Sequence, residues 1–237
     1  MNRETLGRVS SFQSLGTLDG PGVRFIVFLQ GCPLRCVCCH NPETWDAGKG
    51  DSYSAEQVFD KMIKFKEYFG SLGGITLSGG EPTLQAEFAS RIFSLCRQNG
   101  INTCLDTSGC IMNDEVRRLI KLTDYCLLDI KYTLDEDYLK YVGCSIEKPL
   151  MFLSELERAG VRTRLRQVII SGLNDDEQNI SRLKAIADKF SCVEEIELLP
   201  FRKLCTEKYQ KLGIDFLLSN TPETPKEKID ELNRLIK

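Results

Sequence analysis

Six short apolar segments with the character of buried β-strands recur along the chain, each followed by a segment with helical periodicity. The strands are predicted at residues 23–29, 74–78, 101–105, 126–130, 161–170 and 195–199. This alternation favours parallel pairing, because a helical crossover brings the chain back to begin the next strand at the same end of the sheet. We therefore predict an α/β fold, a partial (β/α)6 TIM-like barrel with a parallel sheet. Six units are fewer than the eight of a closed barrel.

Several helix boundaries are marked by capping residues. Ser54 is predicted as an N-cap, with Gln57 three residues later completing a capping box. Gly100 and Gly160 are predicted to end helices in the left-handed conformation. Thr224 is predicted to cap the last helix.

Length and composition exclude several classes of protein. The chain has 237 residues, 42% hydrophobic and 27% charged, and no linker divides it, so we expect a single domain over residues 1–237. Its 31 basic and 34 acidic residues give no basic excess, which argues against nucleic-acid binding. No apolar run reaches membrane-spanning length and no signal peptide is evident. We expect a monomeric cytoplasmic protein that binds neither nucleic acid nor membrane.

The chain contains eleven cysteines, which is a high number. An odd number without a secretory signal argues against a disulfide framework. Three of them, Cys32, Cys36 and Cys39, form a Cys-x3-Cys-x2-Cys pattern in a long loop. Three thiolates on a [4Fe-4S] cluster would leave one iron open to a non-protein ligand. The alternative is a zinc site completed by His40, the only histidine; structural zinc usually uses a second cysteine pair, which the chain lacks.

Other polar or glycine residues follow the predicted strands at their carboxyl ends. They are Gly79, Gly80 and Glu81, then Asp106 and Thr107, then Asp129, Ile130 and Lys131, then Arg166 within the fifth strand and Arg202 after the sixth. Taken singly, a glycine pair is more often a turn and an Asp–Lys pair a solvated ion pair. Because the carboxyl ends of parallel strands meet at one edge of a sheet, we predict that these residues form one site with the cysteines.

Together these segments resemble the radical S-adenosylmethionine (SAM) superfamily, and within it the activases of glycyl-radical enzymes. The resemblance rests on the cysteine pattern and Gly79-Gly80-Glu81, and on residues 16–25, 36–45, 103–107, 128–131 and 196–200. It covers essentially the whole chain.

The resemblance implies a role for each motif residue. Cys32, Cys36 and Cys39 would hold the 4Fe–4S cluster, whose open iron binds SAM. The SAM site would comprise Cys38, Cys39, His40, Gly79, Gly80, Glu81, Asp129, Ile130, Lys131, Arg166 and Arg202. Asp106, Thr107 and Asp129 resemble a monovalent-cation site, and Asp19 lies in the substrate-facing loop. Two positions depart from the pattern: Cys38 stands where an aromatic residue is usual, and Arg202 where relatives have a histidine.

The activity implied is radical generation. One electron from the cluster would cleave SAM to a 5′-deoxyadenosyl radical, which takes a hydrogen atom from a glycine α-carbon of a partner protein. That partner would be a glycyl-radical enzyme, pyruvate formate-lyase for the minimal activases without a second cysteine cluster. The electron donor would be a flavodoxin or a ferredoxin-type protein. The alternatives are an activase of another glycyl-radical enzyme and, in a different class, a zinc-stapled binding module.

Overall fold

The computed structural model describes residues 5–236. Its strands are β1 (Leu6–Gly16), β2 (Arg24–Leu29), β3 (Asp51–Ser54), β4 (Gly74–Gly79), β5 (Asn102–Thr107), β6 (Tyr125–Asp129), β7 (Arg162–Ile169) and β8 (Val193–Pro200). Its α-helices are α1 (Ala55–Met62), α2 (Ala86–Gln98), α3 (Asp114–Ile120), α4 (Asp135–Tyr141), α5 (Glu147–Ala159), α6 (Glu177–Ala187), α7 (Thr206–Leu212) and α8 (Lys226–Ile236). The predicted domain 1–237 also includes residues 1–4 and 237, which lie outside the described residues, and the single domain stays a prediction.

The six predicted strands are present as β2, β4, β5, β6, β7 and β8, and neighbours in this order pair in parallel. The sheet runs β3-β1-β2-β4-β5-β6-β7-β8 and does not close, since β3 and β8 form its two edges. The prediction of a partial barrel is therefore confirmed. An unclosed barrel leaves its interior accessible from the side between β8 and the opposite edge.

Two further strands were not predicted, and they make the sheet mixed rather than wholly parallel. β1 pairs antiparallel with β2, and β3 pairs antiparallel with β1. The sequence of β1 gives a weak strand signal because small and polar residues predominate. Its Gly7 is required by packing, since a Cβ atom there would overlap the ring of Phe88 on α2. β3 lies within the segment that the sequence predicted to be a long loop.

The helices pack on the outer face of the sheet and their predicted boundaries are mostly confirmed. The amide N–H of Gln57 donates to the Ser54 hydroxyl at 3.2 Å and the Ser54 amide to the Gln57 side chain at 2.9 Å, which completes the capping box. Gly160 has a φ of 68° after α5. The prediction is less accurate at the last helix, where Thr224 was expected to be the N-cap. α8 begins at Lys226, and the Thr224 hydroxyl donates to the Ile169 carbonyl oxygen of β7 at 2.6 Å.

The inner face of the sheet is more polar toward the carboxyl ends of the strands. Cys104, Tyr125 and Leu127 form a small buried apolar cluster inside. On β7 the alternating arginines share this inner face, where Arg164 pairs with Glu195 of β8 at 2.7 Å. The polar face of β7 is thus the inside of the barrel. Within residues 5–236, no helix has the length and apolar character needed to cross a membrane.

Candidate functional site

A cavity of about 310 Å³ lies at the carboxyl ends of the parallel strands. All the residues predicted for the site line it, except Glu81, Ile130 and Arg202. Sequence reasoning missed Phe28 and Ser78, which also line it. Both could have been found by strand parity, because each stands at the inward-facing position of its strand. A larger cleft of about 750 Å³ lies between β8, α6 and α8, and none of the predicted site residues lines it.

The cysteine loop is anchored at both ends by backbone hydrogen bonds. The amide of Cys32 donates to the Trp45 carbonyl at 3.3 Å, and Val37 donates to the carbonyl of Tyr141, at the end of α4, at 3.0 Å. Inside the loop, Cys39 donates to the Cys36 carbonyl at 3.0 Å. These bonds hold Cys32, Cys36 and Cys39 in the wall of one cavity. In sequence, three residues separate Cys32 from Cys36 and two separate Cys36 from Cys39.

The environment of these thiols fits ligands of an iron–sulfur cluster. Burial raises the pKa of Cys32 to about 11 and that of Cys36 well above its usual value, so the thiolates need positive charge from a bound metal. Lys131 opposes the effect of burial on the pKa of Cys36. Burial also raises the pKa of Cys39, an effect that the Asn41 amide and the Trp45 indole oppose.

A zinc site would have to use the Nδ1 atom of His40. Its Nε2 atom lies 2.8 Å from the carbonyl oxygen of Arg202, so this nitrogen donates to the backbone. Within residues 5–236, no group of three His, Cys, Asp or Glu side chains converges as for a single metal ion. A tetrahedral zinc site would bring its sulfurs within about 4 Å of one another, given Zn–S bonds of about 2.3 Å.

The Arg202 side chain lies away from the cavity, and its place in a SAM site stays a prediction. Its guanidinium donates to the Thr224 carbonyl at 2.7 Å and does not line the cavity. Arg202 instead reaches the site through its backbone, by accepting the His40 hydrogen bond. A side chain that follows strand six can point away from the site even when its backbone lies at the strand end. Sequence position alone does not distinguish this orientation from one that points into the site.

The glycines after β4 are required by the close approach of β2. Gly79 has a φ of 109°, and a Cβ atom there would overlap the backbone of Leu29. A Cβ at Gly80 would overlap the Gly31 carbonyl. Both glycines leave their backbone exposed to the cavity. The packing requirement and access for a ligand therefore coincide at these two positions.

Glu81 does not line the cavity, and its carboxylate is hydrogen-bonded within the protein; its contact with a cofactor stays a prediction. It is 1% exposed and accepts six hydrogen bonds: two from Thr83, one from Thr107, two from Ser108, and a long one from the Cys110 thiol at 4.0 Å. The carboxylate joins the loop after β4 to the loop after β5. Glu81 is a positioning residue because it holds two cavity walls together.

Four charged side chains form a network across the floor of the cavity. The Arg166 guanidinium pairs with Asp106 and, at 2.9 Å, with Asp129. Lys131 lies 2.5 Å from the other oxygen of Asp129, and the Ser78 hydroxyl donates to Asp106 at 2.7 Å. Although burial opposes it, the cations Arg166 and Lys131 lower the pKa of Asp129, whereas burial raises the pKa of Asp106. Both signs of charge therefore face one small volume.

The residues of the predicted cation site and Ile130 lie at or beside this network, and their roles stay predictions. Arg166 bridges Asp106 and Asp129, so the protein already supplies a cation between the two carboxylates predicted to share one. The Thr107 hydroxyl is directed to Glu81. Ile130 is fully buried and lies outside the cavity wall, and its amide donates to the Arg166 carbonyl at 2.9 Å, which connects the end of β6 to β7.

Asp19 lies inside the barrel although its loop precedes β2. Its carbonyl accepts from the Thr76 hydroxyl of β4 at 2.6 Å, and Thr76 in turn accepts from the fully buried Arg24 at 3.0 Å. Gly20 follows with a φ of 121° and passes against Cys104. Burial raises the pKa of Asp19, an effect that Arg166 opposes. The loop thus folds over into the interior of the barrel.

Comparison with known proteins agrees with this site. The family model of the Radical SAM superfamily matches residues 26–183. The chain therefore belongs to the radical SAM superfamily. A pyruvate formate-lyase-activating enzyme of Clostridium pasteurianum is 41% identical over 98% of each chain. The pyruvate formate-lyase 1-activating enzyme of Escherichia coli (strain K12) is 37% identical over 98% of this chain and 95% of its own. More narrowly, the chain belongs to the family of pyruvate formate-lyase-activating enzymes.

Solved structures agree with the fold. A domain of a pyruvate-formate lyase-activating enzyme from Bacteroides vulgatus has a TM-score of 0.57 at 23% identity, over 69% of this chain and 92% of that one. Streptococcus suis SuiB bound to its precursor peptide SuiA has a TM-score of 0.68 at 13% identity, over 89% of this chain and 44% of that one. At these identities the likeness concerns the fold alone.

Proposed function

We propose that the protein is a SAM-dependent activase that installs the glycyl radical on pyruvate formate-lyase. The observation that carries the proposal is that the cysteine triad and the charged network face one cavity in a chain 41% identical to such an activating enzyme. A radical enzyme needs its reductant and its radical source in contact and shielded from solvent. A single small cavity at the strand ends meets that requirement.

Cys32, Cys36 and Cys39 would hold the 4Fe–4S cluster as thiolates, whose charge the cluster iron would balance. Once bound there, the cluster and SAM supply a 5′-deoxyadenosyl radical that removes an α-hydrogen atom from a glycine. The protein itself binds and orients, since the cofactors carry the chemistry.

The remaining side chains match the charges of SAM, which has a sulfonium, an ammonium and a carboxylate. Lys131 and Arg166 would bind the carboxylate, and Asp129 would balance the positive charge. The Gly79–Gly80 backbone would accept from the ammonium, and the Cys38–His40 segment would border the adenine. A monovalent cation at Asp106, Thr107 and Asp129 would require Arg166 to leave one carboxylate.

The substrate glycine would enter through the open side of the barrel. An extended peptide can reach the interior past β8, which is an edge strand. Asp19 would contact this peptide, because its loop occupies the interior below the charged network. A protein substrate needs such an opening, whereas a small molecule would not.

The finer assignments complete the proposal. The electron donor would be a flavodoxin or a ferredoxin-type protein, and the activase would act as a monomer. Its free cysteines suit a reducing cytoplasm. The zinc-stapled module is not retained, because the family is one of activating enzymes.

The test is anaerobic reconstitution with iron and sulfide, followed by reduction and mixing with SAM and pyruvate formate-lyase. Electron paramagnetic resonance should show a glycyl-radical doublet with the wild type and with Cys192→Ala, whose thiol lies outside the cavity. Cys39→Ala should bind little iron and give no doublet. A full cluster and SAM cleavage without a doublet would assign the protein to another glycyl-radical enzyme. Full cluster loading of Cys39→Ala would contradict the ligand assignment.

A further inference from the structure

A second opening lies behind the cysteine loop, on the side away from the cavity. It is a cleft of about 590 Å³ between the segment 35–49 and the end of α7. Leu34 and Cys36 line the cavity, whereas Arg35 between them lines the cleft. Among residues 5–236 the two linings share no residue, so the cysteine loop forms a thin wall between the cavity and the cleft.

Trp45 connects the cleft to the proposed cluster ligands. It is half-buried in the lining of the cleft, and its carbonyl oxygen accepts from the Cys32 amide at 3.3 Å. Its ring packs edge-on against the ring of Tyr209, with 5.9 Å between the ring centres. The Tyr209 hydroxyl in turn donates to the Cys39 carbonyl oxygen at 3.1 Å. One aromatic side chain therefore reaches the exterior and packs on the wall that holds the ligands.

Arg35 fixes the outer face of this wall. Its guanidinium lies over the Trp45 ring, 4.8 Å from the ring centre, and donates to the carbonyl oxygens of Cys32 at 2.8 Å and Leu34 at 2.7 Å. Arg35 is nevertheless an exposed residue. Arg and Trp are enriched at the centres of protein interfaces, because each combines a large contact area with a polar group. An exposed Arg–Trp pair that is already held in place is typical of a docking site.

The charges of the cleft fit an acidic partner. Arg35 and Lys49 are exposed cations in its lining, and a third cation, Lys208, pairs with the lining residue Glu43 at 2.5 Å. Asp46 is the other anion of the lining. Cations therefore outnumber anions at the cleft, although the whole chain carries a net charge of −3. A locally positive surface on an acidic protein favours the approach of a negatively charged one.

We propose that this cleft is the docking site of a small acidic one-electron donor protein, whose electron reaches the cluster through the wall at Trp45 and Arg35. The cavity side does not suit a donor, because its 310 Å³ has to hold SAM and the substrate glycine. One electron moves from the reduced donor to the oxidised cluster, and no proton or bond is involved. Proteins that exchange electrons form small, weak interfaces that depend on complementary charge. This inference rests on the proposed function, since it needs the cluster.

Trp45 provides a probe of this surface because it is the only tryptophan of the chain. Reconstituted enzyme labelled with fluorotryptophan has one fluorine resonance, which is followed while oxidised flavodoxin or ferredoxin is added. Lys49→Glu reverses an exposed charge of the cleft. Lys64→Glu is the matched control, because it makes the same change on an exposed lysine outside the cleft. The rate of cluster reduction is measured by stopped-flow absorbance with each reduced donor and with photoreduced deazariboflavin, a small neutral reductant.

We expect a donor to shift the Trp45 resonance and to reduce Lys49→Glu at least about threefold more slowly than wild type at low salt. The difference should shrink at high salt, because exposed charges are screened. Lys64→Glu should behave like wild type, and deazariboflavin should reduce all three proteins alike.

Equal donor rates for Lys49→Glu and wild type would overturn the inference and leave the activase intact. A Trp45 resonance that pyruvate formate-lyase shifts and neither donor shifts would do the same, because the cleft would then bind the substrate protein. Wild type that not even deazariboflavin reduces would overturn the proposed function as well.

Discussion

Replacing Glu81 by Gln tests whether this residue positions the cavity walls or contacts SAM. The substitution keeps the size and shape of the side chain but turns one carboxylate oxygen into an amide NH₂. One oxygen of Glu81 accepts the amide of Thr83 at 3.1 Å, and the other accepts the amide of Ser108 at 3.0 Å. Whichever way the Gln amide is oriented, its NH₂ faces one of these two backbone N–H groups.

This conflict lowers the free energy of unfolding of the Glu81→Gln variant. The Thr83, Thr107 and Ser108 hydroxyls can rotate and accept from the NH₂, but a backbone N–H cannot. One buried donor is left unsatisfied, at about 1–3 kcal/mol, and the remaining bonds lose their charge assistance. We expect a destabilisation of about 2–4 kcal/mol, which lowers the Tm of a chain this long by roughly 4–16 °C.

The assay is urea and thermal unfolding of the protein without SAM, at neutral pH, with Glu87→Gln as the control on the exposed side of α2. The control should unfold like the wild type, because Glu87 is exposed. Unchanged unfolding of Glu81→Gln, combined with weaker SAM binding, would refute the positioning role and restore direct contact with the cofactor.

The remaining predictions concern four other side chains. Lys131→Ala should weaken SAM binding by roughly 1–3 kcal/mol, measured by calorimetry, because a charge-assisted bond is lost; an unchanged Kd would remove Lys131 from the SAM site. Asp19→Ala should lower the glycyl-radical yield with SAM cleavage intact, and equal yields would reduce the loop to a turn. Arg24→Met should destabilise the protein by at least about 2 kcal/mol, because it leaves the Thr76 hydroxyl and several carbonyls without their donor; wild-type unfolding would contradict this. Ser54→Ala should cost about 1 kcal/mol from loss of the N-cap, and equal urea midpoints would show that the capping box contributes nothing.

Local pattern was sufficient for the six parallel strands and for the helix boundary at Ser54. A parallel strand buried on both faces needs a continuous apolar run, so it can be recognised from consecutive residues of the sequence. The capping box is also local, because its two partners are three residues apart. The same reasoning brought Asp106, Asp129 and Arg166 together, since strand ends converge whatever the loops do.

Strand β1 and the partners of individual polar side chains were decided only by the tertiary structure. β1 carries few apolar residues, and it becomes a strand because β2 offers it an antiparallel partner. The acceptor role of Glu81 depends on Thr107 and Ser108, more than twenty residues away in sequence. A sequence pattern indicates which face a residue occupies, but a hydrogen bond depends on distances of a few tenths of an ångström between segments that only folding brings together.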